Sequence, residues 1–275
     1  MHGRSFGQGR TRTRERRLRP WDIIRGDGPL VAVALHAGHE VRRDLHALMS
    51  ISDADRTREE DPGTATFGRA APNQVAVARS RFEVDLNRPQ ERAVYRDAED
   101  AWGLTVWRAP LSQRAIESSR ALYDAFYAEM TRLLDDLVAR YGGFIVLDLH
   151  SYNHRRGGPL AAPDDSAANP DVNIGTGSAD RRRWSLVIDG FIADLSIALG
   201  TRADVRENVK FRGGHFARWV HESYPSGLCI AVEFKKTYMD EWSGDVDPAA
   251  VEAIAAAIAS TLPGLERALA TVLAR

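Results

Sequence analysis

The sequence is poor in cysteine, in lysine and in long apolar runs. Its one cysteine, Cys229, rules out an internal disulfide and with it the disulfide-rich secreted scaffolds. No run of 18 apolar residues is present, which argues against a membrane-spanning helix. The formal net charge is −1, so no overall field would attract nucleic acid or a membrane surface. We therefore expect a cytoplasmic protein with neither nucleic-acid nor membrane partners, and its oligomeric state stays open.

The composition is that of an ordinary globular protein. Hydrophobic residues make up 44% and charged residues 27% of the 275 residues, which suits one sizeable domain. Residues 1–20 are rich in arginine and carry hardly any apolar residues, so they lack the apolar core of a secretory signal. We expect a disordered basic extension over 1–20 and a single domain over 21–275.

Apolar periodicity predicts strands that alternate with long helices. Short apolar or alternating runs predict strands at 29–35, 74–86, 144–150, 202–206 and 228–234. Helical spacing of apolar residues predicts helices at 112–140, 180–199 and 248–272, the first capped by Ser112 and ended by Gly142-Gly143. Residues 46–72 and 151–178 are polar and indicate long loops, and 212–215 indicate a turn. This order predicts a three-layer α/β/α domain with a mixed central sheet.

Histidines stand at the ends of two predicted strands. His36 and His39 follow the first strand, and His150 ends another. A catalytic zinc takes three protein ligands and leaves one position open, so His36, His39 and His150 form a candidate zinc site. Glu40 competes with His39 for the second position. Asp148 shares a strand face with His150 and can orient it as a neighbouring hydrogen-bond partner.

Glu233 is a carboxylate within an apolar predicted strand. Burying it costs several kcal/mol unless it is paired or directed at a metal. In zinc hydrolases such a carboxylate moves a proton from water to the leaving nitrogen. An ion pair with Lys235, Lys236 or an arginine is an equally good interpretation of the spacing.

Several polar residues are candidates for binding an acidic substrate. A guanidinium can hold a carboxylate through two parallel hydrogen bonds, and Asn87 and Arg88 follow a predicted strand. The Gly-rich segment 211–218 offers two further arginines, Arg212 and Arg218. We expect these four residues to bind a small carboxylate-bearing molecule.

Four ordered segments resemble the signatures of the N-formylglutamate amidohydrolase family. They are Asp85-Leu-Asn-Arg88, Asp148-Leu-His-Ser151, Arg212-Gly-Gly-His-Phe-Ala-Arg218 and Val232-Glu-Phe-Lys-Lys-Thr-Tyr-Met-Asp-Glu241; the opening His36-Ala-Gly and the acidic loop Arg58-Glu-Glu-Asp-Pro62 fit as well. The family is related in fold to zinc carboxypeptidases and aspartoacylases. In those carboxypeptidases the first motif is His-x-x-Glu, whereas His39 stands here at the fourth position.

The resemblance implies a phosphorylase/hydrolase-like fold, one Zn²⁺ and a glutamate base, which maps to Glu233. It also implies that Asn87 and Arg88 bind the substrate carboxylate or the oxyanion. The expected activity is hydrolysis of an N-acyl, for example N-formyl, acidic amino acid, at a carbon–nitrogen bond other than a typical peptide bond. Two alternatives remain, a peptidase-like hydrolase of γ-glutamyl linkages and a non-catalytic binding protein on the same fold. A pure binding protein has no need of a buried proton carrier, so Glu233 argues against the second.

Overall fold

A mixed β-sheet organises the chain. The computed structural model describes residues 19–275, so the predicted extension over 1–20 lies outside the described residues except for its last two positions. The strands of the described part are β1 Trp21–Ile24, β2 Leu30–Ala34, β3 Asn73–Val77, β4 Phe144–Tyr152, β5 Val172–Gly175, β6 Val205–Glu207 and β7 Gly227–Lys235. Their order across the sheet is β1-β3-β2-β4-β7-β5-β6.

The four central strands of this order, β3, β2, β4 and β7, run parallel to one another. β5 pairs with β7 in the antiparallel sense, and β1 does the same with β3. The predicted α/β class with a mixed sheet is confirmed. Since β2, β4 and β7 are parallel neighbours, the residues at their carboxyl ends meet at one edge of the sheet.

Helices cover both faces of this sheet. They are α1 Arg43–His46, α2 Asp53–Glu59, α3 Thr64–Phe67, α4 Gln113–Tyr141, α5 Ser185–Leu199, α6 His215–Ser223 and α7 Pro248–Leu273. α4 and α6 pack with one apolar cluster, and α5 and α7 with another on the opposite face. The three layers follow, because successive strand residues such as Val146 and Leu147 alternate between these two clusters.

Capping residues fix where the two longest helices, α4 and α7, begin, and a glycine fixes where α4 ends. The Ser112 hydroxyl accepts a hydrogen bond from the Ala115 amide at the start of α4, and Gly142 ends it in the left-handed conformation, as predicted. Asp247 caps α7, and proline follows at its first position. By length and hydropathy α7 is apolar enough to cross a membrane. Its buried residues pack against the sheet and α5, which is what the core helix of a soluble protein does.

Four predicted segments differ in the structure. The strand predicted over 74–86 ends at Val77, and residues 81–88 form turns and irregular backbone, so Asn87 does not follow a strand end. The loop predicted over 46–72 contains α2 and α3. Strand β5 lies within the second predicted loop, and α6 begins at His215, where a turn was predicted. Strand β5 and helix α6 are short, and each has a glycine at one end, Gly175 and Gly214 respectively, which weakened their periodic signal.

Candidate active site

Two histidines and an aspartate converge at the carboxyl edge of the central strands. His36 follows β2, His150 lies in β4, and Asp61 lies between α2 and α3; all three are buried. Asp61 Oδ2 lies 3.0 Å from His150 Nδ1 and 3.5 Å from His36 Nδ1. Among residues 19–275, this is the one group of three side chains whose ligand atoms, all within 4.8 Å of one another, could hold a metal ion.

The far nitrogens of both imidazoles face buried carboxylates. His36 Nε2 lies 2.8 Å from Asp85 Oδ1, and His150 Nε2 lies 2.9 Å from Asp148 Oδ1. Metal-binding histidines usually donate their second ring N–H to such a partner, which fixes the tautomer and leaves the other nitrogen for the metal. Asp148 therefore stands where its predicted orienting role requires, and Asp85 is placed to do the same for His36. Two imidazole nitrogens and a carboxylate suit zinc or a similar divalent metal.

Asp61 is held by its own backbone and by one hydroxyl. Its amide donates to the carbonyl of His36 at 2.9 Å. The Ser151 hydroxyl donates to Asp61 Oδ1 at 3.1 Å, so Oδ2 is the oxygen that faces both imidazoles. Burial acts to raise the pKa of Asp61, but hydrogen bonds from His150 and His36 outweigh it and lower the pKa far below its usual value. The carboxylate thus stays ionised, as a metal ligand must.

Glu233 faces the same cavity from the neighbouring strand. It pairs in register with His150 across β4 and β7, and side chains of paired residues point to the same side of a sheet. Burial raises the pKa of Glu233 to about 7, and the neighbouring Asp61 and Asp148 carboxylates add to this against the opposing effect of His150. A carboxyl with such a pKa exchanges protons near neutral pH.

The ion-pair alternative for Glu233 is not what the structure contains. Lys235 Nζ donates to Asp171 at 2.9 Å. Lys236 Nζ donates to the carbonyl oxygens of Arg58 and Glu60, both at 2.6 Å. In the described part of the chain, no hydrogen bond or ion pair engages the Glu233 carboxyl, which leaves it open to the cavity.

His39, the third predicted ligand, lies apart from the metal-binding group. Its Nδ1 is 2.5 Å from Glu60 Oε2, and its Nε2 is 2.7 Å from Arg56 Nη2. Glu40, the competing candidate, pairs through its backbone with Arg79 and is likewise outside the group. The predicted site of His36, His39 and His150 is therefore corrected: in the structure Asp61, and not His39, lies beside the other two. The sequence signal for Asp61 is the acidic run Arg58-Glu-Glu-Asp61, which fits the family resemblance but has no ligand spacing to mark Asp61.

A cavity of about 380 Å³ opens above these residues. Its cationic lining residues are Arg81, Arg156, Lys210, Arg212 and Lys236. Arg81 is already bound to Asp85 and the Tyr95 hydroxyl, and Arg156 to Glu59. Lys210 donates only to the neutral amide of Asn169, and the Arg212 guanidinium has no partner among the described residues. An anionic molecule in the cavity would therefore meet Arg212 and Lys210 first.

Of the four predicted substrate-binding residues, Asn87 and Arg212 line this cavity, whereas Arg88 and Arg218 do not. Arg88 Nε is 3.4 Å from Asp85 Oδ2, and its guanidinium lies 4.5 Å from the ring centre of Tyr95. Arg218 is exposed on α6. Asn87 accepts a hydrogen bond from the Phe216 amide, which turns its Nδ2 toward His150, 3.3 Å from Nε2.

A serine–histidine pair elsewhere in the fold is not a nucleophile. Ser178 Oγ lies 2.8 Å from His221 Nδ1, and His221 Nε2 accepts the Cys229 amide hydrogen at 3.0 Å. The proton of the neutral ring must therefore sit on Nδ1, which donates to the serine and cannot accept its proton. Burial lowers the pKa of His221 to about 4, which keeps the ring neutral. Ser178 and His221 therefore do not form a nucleophile and its base.

Comparison with known proteins identifies a family and similar folds. The model of the N-formylglutamate amidohydrolase family matches residues 28–239. No curated protein matches the sequence. An N-formylglutamate amidohydrolase from Ralstonia eutropha JMP134 has a similar structure, with a TM-score of 0.70, 15% identity, and coverage of 90% of this chain and 97% of that one.

Two further solved structures are similar at lower levels. A gene product of Agrobacterium tumefaciens has a TM-score of 0.62 and 17% identity, and the match covers 93% of this chain and 95% of that one. A metallo-carboxypeptidase from Burkholderia cenocepacia reaches a TM-score of 0.36 at 13% identity, covering 91% of this chain and 66% of that one, which is too low for any inference. The first two similarities establish the fold.

The metal-binding group yields a prediction that separates the two histidine arrangements. His36→Ala and Asp61→Ala should abolish binding of a divalent metal, because each removes one of three ligands. His39→Ala is the matched control and should still bind about one metal ion per chain. Elemental analysis after dialysis, and calorimetric titration of zinc into chelator-stripped protein, measure this. Metal loss in His39→Ala together with retention in Asp61→Ala would contradict the assignment.

Proposed function

Because the chain belongs to the N-formylglutamate amidohydrolase family, we propose that it is a zinc-dependent amidohydrolase that cleaves an N-acyl acidic amino acid. The observation that carries this proposal is one cavity in which His36, His150 and Asp61 form a metal-binding group beside an unpaired carboxyl, Glu233. N-Formylglutamate is one such substrate. The product of the cleavage would be a carboxylic acid and a free amino acid.

In the proposed reaction, one set of residues binds the metal and another residue transfers the proton. When bound by His36, Asp61 and His150, zinc supplies Lewis-acid chemistry, which lowers the pKa of water and polarises a carbonyl. Asp85 is hydrogen-bonded to His36 Nε2, and Asp148 lies 2.9 Å from His150 Nε2, so both carboxylates favour the tautomer that offers Nδ1 to a metal. All three ligands are buried at the floor of the cavity, so their ligand atoms are held in place by the surrounding fold.

Glu233 acts as the proton carrier in the proposed reaction. Its carboxylate accepts a proton from the attacking water as the water oxygen bonds to the acyl carbon. The same proton then passes to the amide nitrogen as the carbon–nitrogen bond breaks, so the protons balance. Burial favours the protonated form of Glu233 and a neighbouring cation favours the ionised form, so the carboxyl can both accept and release the proton.

Arg212 and Lys210, the cavity cations that pair with no carboxylate among the described residues, would bind the carboxylates of the substrate. Arg212 carries a guanidinium with no partner among the described residues, and Lys210 lies nearby on the same segment. A desolvated carboxylate bound by two parallel guanidinium hydrogen bonds is held in one orientation. Arg212 thereby takes the substrate role first expected of Arg88.

Replacement of Glu233 by glutamine tests the proton carrier. Glu233→Gln should lower the hydrolysis rate of N-formyl- and N-acetylglutamate by about 10²–10⁴-fold, since an amide cannot accept the proton. Bound metal should stay at the wild-type level, because the three ligands are untouched. An unchanged rate in a metal-loaded Glu233→Gln protein would remove Glu233 from the mechanism.

Stability measured on the same variant excludes a structural ion pair. The fold raises the pKa of Glu233 from 4.5 to about 7, so its neutral form contributes stability that is fully present below pH 4.5 and is lost as the pH rises through 7. Metal-stripped Glu233→Gln should therefore be at least as stable as wild type at pH 8 in urea unfolding. A buried ion pair would instead lose roughly 3–5 kcal/mol on this substitution.

Two arginines on one segment test substrate binding. Arg212→Ala should lower kcat/KM for N-acylglutamates by roughly ten- to a hundredfold, since a hydrogen bond to a charged group contributes about 1.5–3 kcal/mol. Arg218→Ala, which removes an equal charge outside the cavity, is the matched control and should leave kcat/KM unchanged. Equal losses in both variants would show only a general charge effect.

A further inference from the structure

The cavity has two chemically different walls on opposite sides of the reactive centre. Strands β2, β4 and β7, which carry or precede the metal-binding group and Glu233, lie between β3 and β6 in the sheet. Lys210 and Arg212 follow β6, whereas Trp102 belongs to the segment that follows β3. A molecule lying across the centre therefore meets Lys210 and Arg212, which pair with no carboxylate among residues 19–275, at one end. At the other end it meets an indole ring whose neighbouring arginines, Arg81 and Arg88, are already paired with Asp85.

Trp102 is held in an unusual backbone conformation. Its φ of 54° lies in the left-handed region, which bulky residues rarely adopt. The following Gly103 also has positive φ, and its amide donates to the Ala98 carbonyl at 2.8 Å. The preceding Ala101 is buried in a small apolar cluster with Phe82 and Tyr95. Trp102 thus ends the short 3₁₀ helix Ala98–Ala101 in the left-handed conformation, and the turn is fixed on both sides of the indole.

The internal contacts of Trp102 leave much of its ring unused. The Arg81 and Arg88 guanidinium groups lie 4.7 Å and 5.8 Å from the ring centre, and Tyr95 makes an edge contact at 6.1 Å between ring centres. Yet Trp102 remains 46% exposed, and it lines the cavity. An indole ring presents a large apolar face, and contact with a flat or apolar group removes that face from water.

The orientation of the bound substrate in the cavity follows from these two walls. This inference rests on the function proposed above. With the substrate carboxylates at Arg212 and Lys210 and the amide beside Glu233, the acyl group points toward Trp102. A formyl group has a single carbon and offers this ring almost no surface. We propose that Trp102 is the wall of an acyl pocket and that the enzyme prefers apolar or aromatic N-acyl groups larger than formyl.

A substrate series tests this preference. N-Formyl-, N-acetyl-, N-butyryl- and N-benzoylglutamate are compared by kcat/KM with wild type, Trp102→Phe and Trp102→Ala. Wild type should favour N-benzoyl over N-formyl by about tenfold or more, which is the usual discrimination of an apolar pocket. Trp102→Ala should lose this preference, so that its kcat/KM falls much more for N-benzoyl- than for N-formylglutamate, and Trp102→Phe should keep most of the preference.

Trp242 provides the matched control. Its indole donates to the Arg155 carbonyl at 2.9 Å and lies under the Arg58 guanidinium, and it does not line the cavity. Trp242→Phe should therefore keep the acyl preference of wild type. A preference of wild type for N-formylglutamate, or an equal loss on every substrate in Trp102→Ala, overturns the acyl pocket. Absence of hydrolysis on the whole series overturns the proposed function itself.

A binding measurement covers the case in which Trp102→Ala fails to fold. In the Glu233→Gln background, N-benzoylglutamate should change the tryptophan fluorescence on binding, and N-formylglutamate should change it much less. Adding Trp102→Phe should remove the change and adding Trp242→Phe should not. A fluorescence change that survives Trp102→Phe would place the acyl group elsewhere.

Discussion

The burial of three carboxylates at one sheet edge is the constraint on which the rest of the site depends. Asp61, Asp85 and Asp148 are almost completely inaccessible, and ionised groups in such positions cost several kcal/mol each unless cations compensate them. Arg81 compensates Asp85. The other two share His150, which links them through its two ring nitrogens. Burial acts to lower the pKa of His150. The Asp148 and Asp61 carboxylates outweigh burial and raise the pKa of His150 well above its usual value. A divalent cation can replace the proton in this balance, so the same arrangement that orients the ligands also favours metal.

The sequence predicted the central part of this architecture because that part is periodic. β2, β4, β7, α4 and α7 are long or continuously apolar, and each lies close to its predicted bounds. The edges of the architecture were harder to predict. β5 has four residues within a polar stretch, and β3 ends at Val77 although alternation continues, because the next two amides donate to the carbonyl of Pro20. No local pattern contains that distant acceptor.

The site could be predicted only in part, for the same reason. His36, His150 and Glu233 lie at or near the ends of strands whose existence the sequence revealed, so their convergence followed from topology. Asp61 joins them through a hydrogen bond from its amide to the His36 carbonyl, 25 residues away in sequence. His39 was the nearer candidate in sequence, but Glu60 and Arg56 engage both of its ring nitrogens. The sequence pattern also does not distinguish Arg88 from Arg212. Arg88 contacts Asp85 and the Tyr95 ring, whereas the Arg212 guanidinium has no partner among residues 19–275.

The central claim is that one metal ion is held by two imidazole nitrogens and the Asp61 carboxylate beside Glu233. X-ray absorption spectroscopy of the zinc-loaded protein, combined with anomalous diffraction from its crystals, tests this most directly. We expect a single zinc position with His36 Nδ1, His150 Nδ1 and an Asp61 oxygen as its protein ligands, and with Asp85 and Asp148 still facing the two Nε2 atoms. A zinc shell with three imidazoles that include His39, or a zinc position away from this cavity, would contradict it.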